Sequence, residues 1–420
     1  MESGLHSTKI KVAVLLASAL TVCLYLALVT AEFIAAHLST RTDLPNLQRA
    51  ARLQPWDAEY EYHLGRYFLL LNQPGDAANH LRRAIDLDGN SAHYWFDLAA
   101  AYNALGLAQE RGHAIEQAAA ADPKNPEIAW EAANLYITRG EKDRALQQFR
   151  LVLDSDSSLM LPALQQCLRI TDVDTMLQQV MPPNAHSYYT LLDLLMVSKR
   201  TAEAAKVWTQ LAGLHQPLER EPVFAYADYL LGQREVHQAV AVWQQASNLA
   251  NLTAYQPSRE NLVVNGDFSL DVLNHGFDWR SQKVSGVTLA RDPLQSHSGH
   301  HSLAISFDGS GVADAGIWQM VPVEPSTAYD FSAYYRANGI EGAGGPRFGI
   351  QDAYSDALLF SSEDLKSADF WKYVNGSFVT RPETQLIVIR IQRVPAGSPI
   401  RGTLWIDGLH LVAMENRDGK

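Results

Sequence analysis

The sequence predicts a multidomain α-plus-β chain with an apolar N-terminal helix, a helical-repeat solenoid and a C-terminal β-sandwich. Three observations carry that prediction. Residues 12–31 form an uncharged run. A 34-residue pattern is written three times without a gap from 58 to 159. Beyond about residue 260, short alternating runs are separated by turn pairs such as Asn265-Gly266, Ser298-Gly299, Asn338-Gly339 and Asn375-Gly376.

Composition sets the outer bounds. A chain of 420 residues has room for two or three domains with substantial cores. Its 47% hydrophobic and 19% charged content is that of globular protein rather than of a disordered chain. The formal net charge of −12 opposes binding to nucleic acid, whose phosphates repel an acidic surface. There are two cysteines, Cys23 in the apolar run and Cys167 in a helical segment, and they do not make a disulfide framework.

The apolar run follows Lys9 and Lys11 and ends at Glu32. At about 1.5 Å per residue it is long enough to cross roughly 30 Å of hydrocarbon. A cleaved signal peptide is the rival reading, but its apolar part is usually about 7–15 residues with a small-residue cleavage site behind it. Val29-Thr30-Ala31 is a poor site of that kind, and Val22 is bulky for the lipoprotein-like box Leu20-Thr21-Val22-Cys23. The expected division is a cytoplasmic tail (1–11), a transmembrane signal anchor (12–38), the solenoid (40–255) and the sandwich (260–415). The two lysines favour an inside N-terminus. A single-pass protein of the bacterial inner membrane, with its bulk in the periplasm, is the expectation.

In the repeats, the eighth position reads Gly65, Ala99, Ala133 and the eleventh Phe68, Tyr102, Tyr136. The twenty-fourth reads Leu81, Ile115, Phe149 and the twenty-seventh Ala84, Ala118, Val152. Small residues let paired helices approach, and the large ones fill the space between them. This period and order resemble the tetratricopeptide (TPR) repeat, which implies a helical scaffold that holds a protein partner. Pro55, Gly89 and Pro123 mark a turn 34 residues apart, so 44–53 reads as the second helix of a repeat whose first helix is the membrane span. After residue 159 the register weakens, with short helices over 161–170 and 175–180 and a breaker at Met181-Pro182-Pro183-Asn184. Two further pairs follow, with Ala205 and Ala239 at the small position and Trp208 and Trp243 at the large one. The total is five complete or degenerate repeats and a half. The resemblance implies a groove lined by the first helix of each pair, with Tyr62, Arg66, Phe96, Asn103, Trp130 and Asn134 facing it. Amides can satisfy an extended peptide's backbone while rings bury its apolar side chains. Aromatics at helical spacing fit packing between repeats equally well.

In the β half, strands are expected over 302–307, 316–321, 329–336, 347–351, 371–379, 386–393 and 403–412, a number that makes a sandwich. The run from Asn261 through Leu262, Val263, Val264, Asn265, Gly266 and Asp267 to Phe268, with Trp279 beyond it, resembles the opening of galactose-binding-like jelly rolls, carbohydrate-binding modules among them. Ser298-Gly299-His300-His301-Ser302-Leu303, Trp318-Gln319-Met320-Val321-Pro322-Val323, Tyr329-Asp330-Phe331-Ser332 and Leu404-Trp405-Ile406-Asp407 match the later landmarks. The resemblance implies a jelly-roll fold and a partner that is a polysaccharide or another ligand. Alternation puts Phe331, Ala333 and Tyr335 on one face with Ile387, Ile389 and Ile391 also inward. If the strands are neighbours, Tyr334, Arg336, Arg347, Gln351, Arg390 and Gln392 then share a polar face. Guanidinium and amide groups can fork onto paired hydroxyls, and a ring gives a sugar a stacking surface. A plainly solvated outer face has the same pattern.

Other constellations carry less. Adjacent His300 and His301 would point to opposite faces of a strand, so with His297 they lack the spacing of a zinc site. The jelly-roll resemblance implies a structural calcium near the first and last strands, where Asp267 and Asp407 fall. Asn251-Leu252-Thr253 and Asn375-Gly376-Ser377 match the short glycosylation pattern. No nucleophile–base, phosphate-loop or paired-carboxylate arrangement stands in a convincing context, so the expectation is a protein that is not an enzyme. The sequence points to an envelope scaffold whose repeats hold a protein and whose jelly roll contacts a glycan, as in exopolysaccharide or cell-surface assembly. Its rival is a scaffold in which both halves bind protein.

Overall fold

A computed structural model describes residues 3–41, 43–155, 158–366 and 368–414. The chain forms two compact units that divide between Ser187 and Tyr188.

The first unit is helical. α1 (Ser3–Ser39) is a single 37-residue helix, and within it Lys9–Ser39 is long and apolar enough to cross a membrane. Eight helices of ten or more residues follow: α2 (Leu44–Leu53), α3 (Ala58–Leu70), α4 (Pro74–Leu87), α5 (Ala92–Ala104), α6 (Ala108–Ala121), α7 (Pro126–Thr138), α8 (Lys142–Asp154) and α9 (Met160–Ile170). Their ends are set by local chemistry. Asp57 and Asn125 cap α3 and α7 by accepting the Glu59 and Glu127 amides at 3.0 Å each, and Pro74 and Pro126 stand where a helix has no use for an N–H. The first helix of each pair stops on a left-handed residue, Asn72, Gly106 and Gly140, again 34 residues apart. One residue later an amide closes the end: Gln73 to Phe68, Leu107 to Tyr102 and Glu141 to Tyr136.

Packing inside the unit follows the repeat. Leu81, Ile115 and Phe149 are buried, as are Ala84, Ala118 and Val152. A Cβ at Gly65 would stand 2.6 Å from Leu81 Cγ, which is why that position takes only a small residue. The last turns of α1 are part of this core. Ala35 packs with Leu47, Ala50, Ala51, Tyr60 and Leu64, so α1 takes the place of the first helix of a pair with α2.

The second unit begins inside α10 (Ala185–Val197) and continues through α11 (Thr201–Gly213), α12 (Arg220–Gly232) and α13 (Val236–Leu249) to the sandwich. Trp208 and Trp243 are buried, as their place in the repeat requires. The small residue beside Trp208 is buried Ala204 rather than Ala205, which is partly exposed. From Ala204 to Ala239, and from Trp208 to Trp243, the spacing is 35 residues, so the period slips by one here.

Among the described residues ten strands make two antiparallel five-stranded sheets: β1 (Trp279–Ser281), β2 (Val287–Asp292), β3 (Ser302–Val312), β4 (Asp314–Pro322), β5 (Ala328–Gly342), β6 (Gly345–Asp352), β7 (Leu358–Ser361), β8 (Ala368–Val379), β9 (Leu386–Val394) and β10 (Ser398–Ala413). The first sheet runs β1-β4-β9-β6-β7 and the second β2-β3-β10-β5-β8. Between them lie Phe331, Phe348, Ile305, Ile350, Ile389 and Leu404 in one core. The opening and closing segments meet: Leu262 N donates to Leu411 O, Leu409 N donates to Gly266 O, and the Gln319 amide holds Val264 through both its N–H and its C=O.

The last α-helix ends at Leu249 and the first strand begins at Trp279, but the boundary between compact units lies further back. α12 and α13 are docked on the sandwich. Asp228 accepts hydrogen bonds from Gly276 N (2.9 Å), His275 Nδ1 (2.8 Å) and Arg280, and Phe224 and Trp243 pack their rings on His275 and Phe277. Gly276 has positive φ, and a side chain there would run into the Trp243 ring. Tyr354 Oη donates to Leu231 O at 2.8 Å and completes the joint.

Candidate functional site

The six groove residues of the repeats do not share one fate. On α3 and α5, Tyr62 is buried against Tyr94 at 4.8 Å, with Arg66 over its ring and 3.8 Å from Asp97. Burial pushes the Tyr62 hydroxyl up to about 12 and holds the Asp97 carboxyl above its usual range. Tyr94 Oη donates to Glu59 at 2.9 Å, so this end is a knit polar cluster that the sequence showed only as scattered residues. Asn103 is exposed, and the Asn134 amide is spent on its own helix, donating to Trp130 O at 2.9 Å. Phe96 and Trp130 are brought together. With Pro126, Glu127 and Glu131 they line an open cavity of about 270 Å³, and Trp130 also meets Phe149 edge-on at 5.9 Å. Trp130 thus packs within the repeat and also lines the cavity.

The six candidate sugar residues split between the two sheets, which corrects the single polar face expected from the sequence. Arg347 and Gln351 lie on β6, and Arg390 and Gln392 on β9, strands that pair directly with Arg347 opposite Gln392 and Gly349 opposite Arg390. Tyr334 and Arg336 lie on β5, in the other sheet, where β5 pairs with β8 and β10. Chain neighbours β5 and β6 are separated only by Ala343 and Gly344, yet the bend carries the chain from one sheet to the other.

On the first sheet's outer face, each guanidinium is gripped from one side. Arg347 Nε donates to Asp364 and Arg390 Nε donates to Asp314, both at 2.7 Å, while Gln351 Nε2 donates to Asp356 at 3.0 Å. An ion pair through Nε fixes the guanidinium plane and leaves the terminal N–H groups for a ligand. Trp318 stands opposite Arg390 on β4, partly exposed. It is absent from the site residues expected from the sequence, although the buried Ile317 and Gln319 on either side place it outward by simple alternation. Gly349 makes room for the Gln392 amide, which lies across it where a Cβ would meet it at 2.6 Å. One end of this face is covered: Met320, Ala353, Tyr354 and Leu386 border a cavity of about 390 Å³ shared with Asp228 and Arg280. A ring, two oriented guanidiniums and two amides on one sheet face can stack on a pyranose and fork onto its hydroxyls.

On the second sheet's outer face, Tyr334 and Arg336 are already engaged by the sheet's own loop. His297 stacks on Tyr334 at 3.5 Å and 15°, and Arg336 donates to Gln295. That loop is held by Asp407, which is fully buried and accepts from His297 N (2.6 Å), Ser298 N (2.9 Å) and Ser298 Oγ (2.8 Å). Those donors reach both carboxylate oxygens and give Asp407 the work of holding the loop. Asp267 accepts instead from Ser269 N and Oγ, at 3.2 and 2.7 Å. Among the described residues no group of three or more His, Cys, Asp or Glu is placed to hold a metal ion.

No family model matches the chain, and no curated protein matches it. Solved structures do resemble its halves. The helical part is similar to MamA (16% identity, 41% of this chain and 85% of the other, TM-score 0.26). It is also similar to YrrB, described as a TPR protein with an unusual peptide-binding site (14%, 50% and 94%, TM-score 0.24). The β part is similar to a family 16 carbohydrate-binding module (19%, 36% and 99%, TM-score 0.26).

Proposed function

We propose that this protein is a non-catalytic binding protein, held at a membrane by α1, whose repeats bind a protein partner and whose sandwich binds a glycan. In the finer form of this reading it stands in a bacterial envelope with its bulk in the periplasm and serves exopolysaccharide or cell-surface assembly. The observation that supports glycan binding is the outer face of the first sheet, where Trp318 stands opposite Arg390, held through Nε by Asp314, and the strand beyond carries Arg347, held through Nε by Asp364. The test is a glycan array probed with the full chain in detergent micelles. Trp318→Ala with Arg390→Ala should abolish binding, and Tyr334→Ala with Arg336→Ala, on the other sheet, should leave it intact. Loss in the second variant alone would move the site to the opposite face. A second reading, a scaffold in which both halves bind protein, draws support from the same two ion pairs, which also serve as plain surface pairs. Absence of binding to any glycan, with a protein captured by the sandwich face, would establish it in place of the first.

A further inference from the structure

The first repeat differs from the others at one turn, and the difference lines up with the apolar helix. α1 runs unbroken into the core and makes a hairpin with α2, in which Ala35 packs among Leu47, Ala50 and Ala51. The pairing fixes heights. α2 runs back along α1 for 10 residues, so at about 1.5 Å per residue Leu53 stands level with about residue 30. That is the end of the uncharged run 12–31. The turn that follows α2 therefore lies beside the outer end of the apolar span rather than above it.

The residue at that turn is Trp56. It is 62% exposed, with no ring partner or hydrogen bond among the described residues of the first unit. At the repeat spacing its equivalents are Asn90 and Lys124, both polar and both exposed. An aromatic replaces them only where the turn is adjacent to the span. On α1 at about the same height Phe33 is 74% exposed, and Arg52 on the last turn of α2 is exposed. Tryptophan places an apolar ring and one N–H donor at the headgroup level of a bilayer, and arginine meets lipid phosphates there.

We propose that the α2–α3 turn is a second membrane contact, with Trp56 seated in the headgroup layer of the leaflet on the solenoid's side. This rests on the reading of α1 as a membrane span. A helix alone leaves the domain it carries free to swivel, whereas a second seat some residues away fixes the first repeat's orientation on the bilayer.

The experiment uses the full chain in phosphatidylethanolamine–phosphatidylglycerol vesicles. Cys23→Ser removes the exposed thiol, and Cys167 is buried. Single cysteines introduced as Trp56→Cys, Asn90→Cys and Leu20→Cys carry an environment-sensitive fluorophore, quenched by lipids spin-labelled at the headgroup or deep in the acyl chain. Position 56 should be quenched several-fold more than position 90 by the headgroup quencher, and position 20 by the deep one. Equal quenching at 56 and 90, with position 20 still quenched by the deep probe, would overturn the seat and leave the span standing. A position 20 that no lipid quencher reaches would remove the span and the seat with it.

Discussion

Asp278 shows how one buried group ties stability to pH. It is fully buried, its Oδ2 accepts the Leu273 amide at 2.7 Å, and its Oδ1 has no partner among the described residues. Desolvation pushes its carboxyl up to about 6, above the ordinary 3.8. Between those two values the folded protein binds the extra proton, so stability falls as pH rises through this window. A rise of that size sets a ceiling of about 3 kcal/mol on the loss. Asp278→Asn should therefore melt higher than the parent at pH 7, with the gap closing as pH is lowered toward 4. A gap that is constant across that range would mean Asp278 does not titrate there. None of this was legible in the sequence, because burial of Asp278 depends on residues distant in the chain. The same holds for Asp407, whose donors come from a loop more than a hundred residues away.

At the scale of elements, glycines that look alike in the sequence do different work. Gly140 ends α7 at φ +76 with open space around it, whereas Gly65 lies inside α3 against Leu81. Gly140→Ala should cost about 1 kcal/mol, from the left-handed backbone alone. Gly65→Ala should cost about 1–3 kcal/mol, from overpacking at a helix contact. Trimming the neighbour with Leu81→Ala should recover part of the Gly65→Ala loss and none of the Gly140→Ala loss, as read in thermal melts of the double variants. If Leu81→Ala rescues neither, the repeat's small position is not set by that contact. Helices were readable because small and large residues recur every 34 positions, and the long strands because apolar residues alternate. The short strands β1, β2 and β7 were not, since Trp279–Ser281 and Leu358–Ser361 are three and four residues long and Val287–Asp292 buries no residue fully. Sheet membership was not readable either. Consecutive strands usually pair, but among the described residues only β2–β3 and β6–β7 do, and the crossover at Ala343-Gly344 is marked in the sequence only by glycine.

For the whole molecule, the decisive feature is that the last helices belong with the sandwich. The segment after α13 is itself packed: Leu252 and Tyr255 are buried, and Trp243 Nε1 donates to Tyr255 O at 2.8 Å. Only Ser258, Arg259 and Glu260 form an exposed run of three there, so a protease has a narrow target. Cutting it should not release the β part. Phe277 and Trp243 are both buried at the joint, and a large side chain moved into water gives up about 1.5–3 kcal/mol, to which the three hydrogen bonds onto Asp228 add. After limited proteolysis at 258–260 the two fragments should co-elute in gel filtration and part only in denaturant. A recombinant 261–420 fragment should melt lower than a 185–420 fragment, and Trp243→Ala in the longer one should lower its melting temperature toward that of the shorter. Fragments that elute separately under native conditions, or equal melting temperatures for the longer and shorter fragments, would show that α12 and α13 merely rest on the sandwich and that it folds without them.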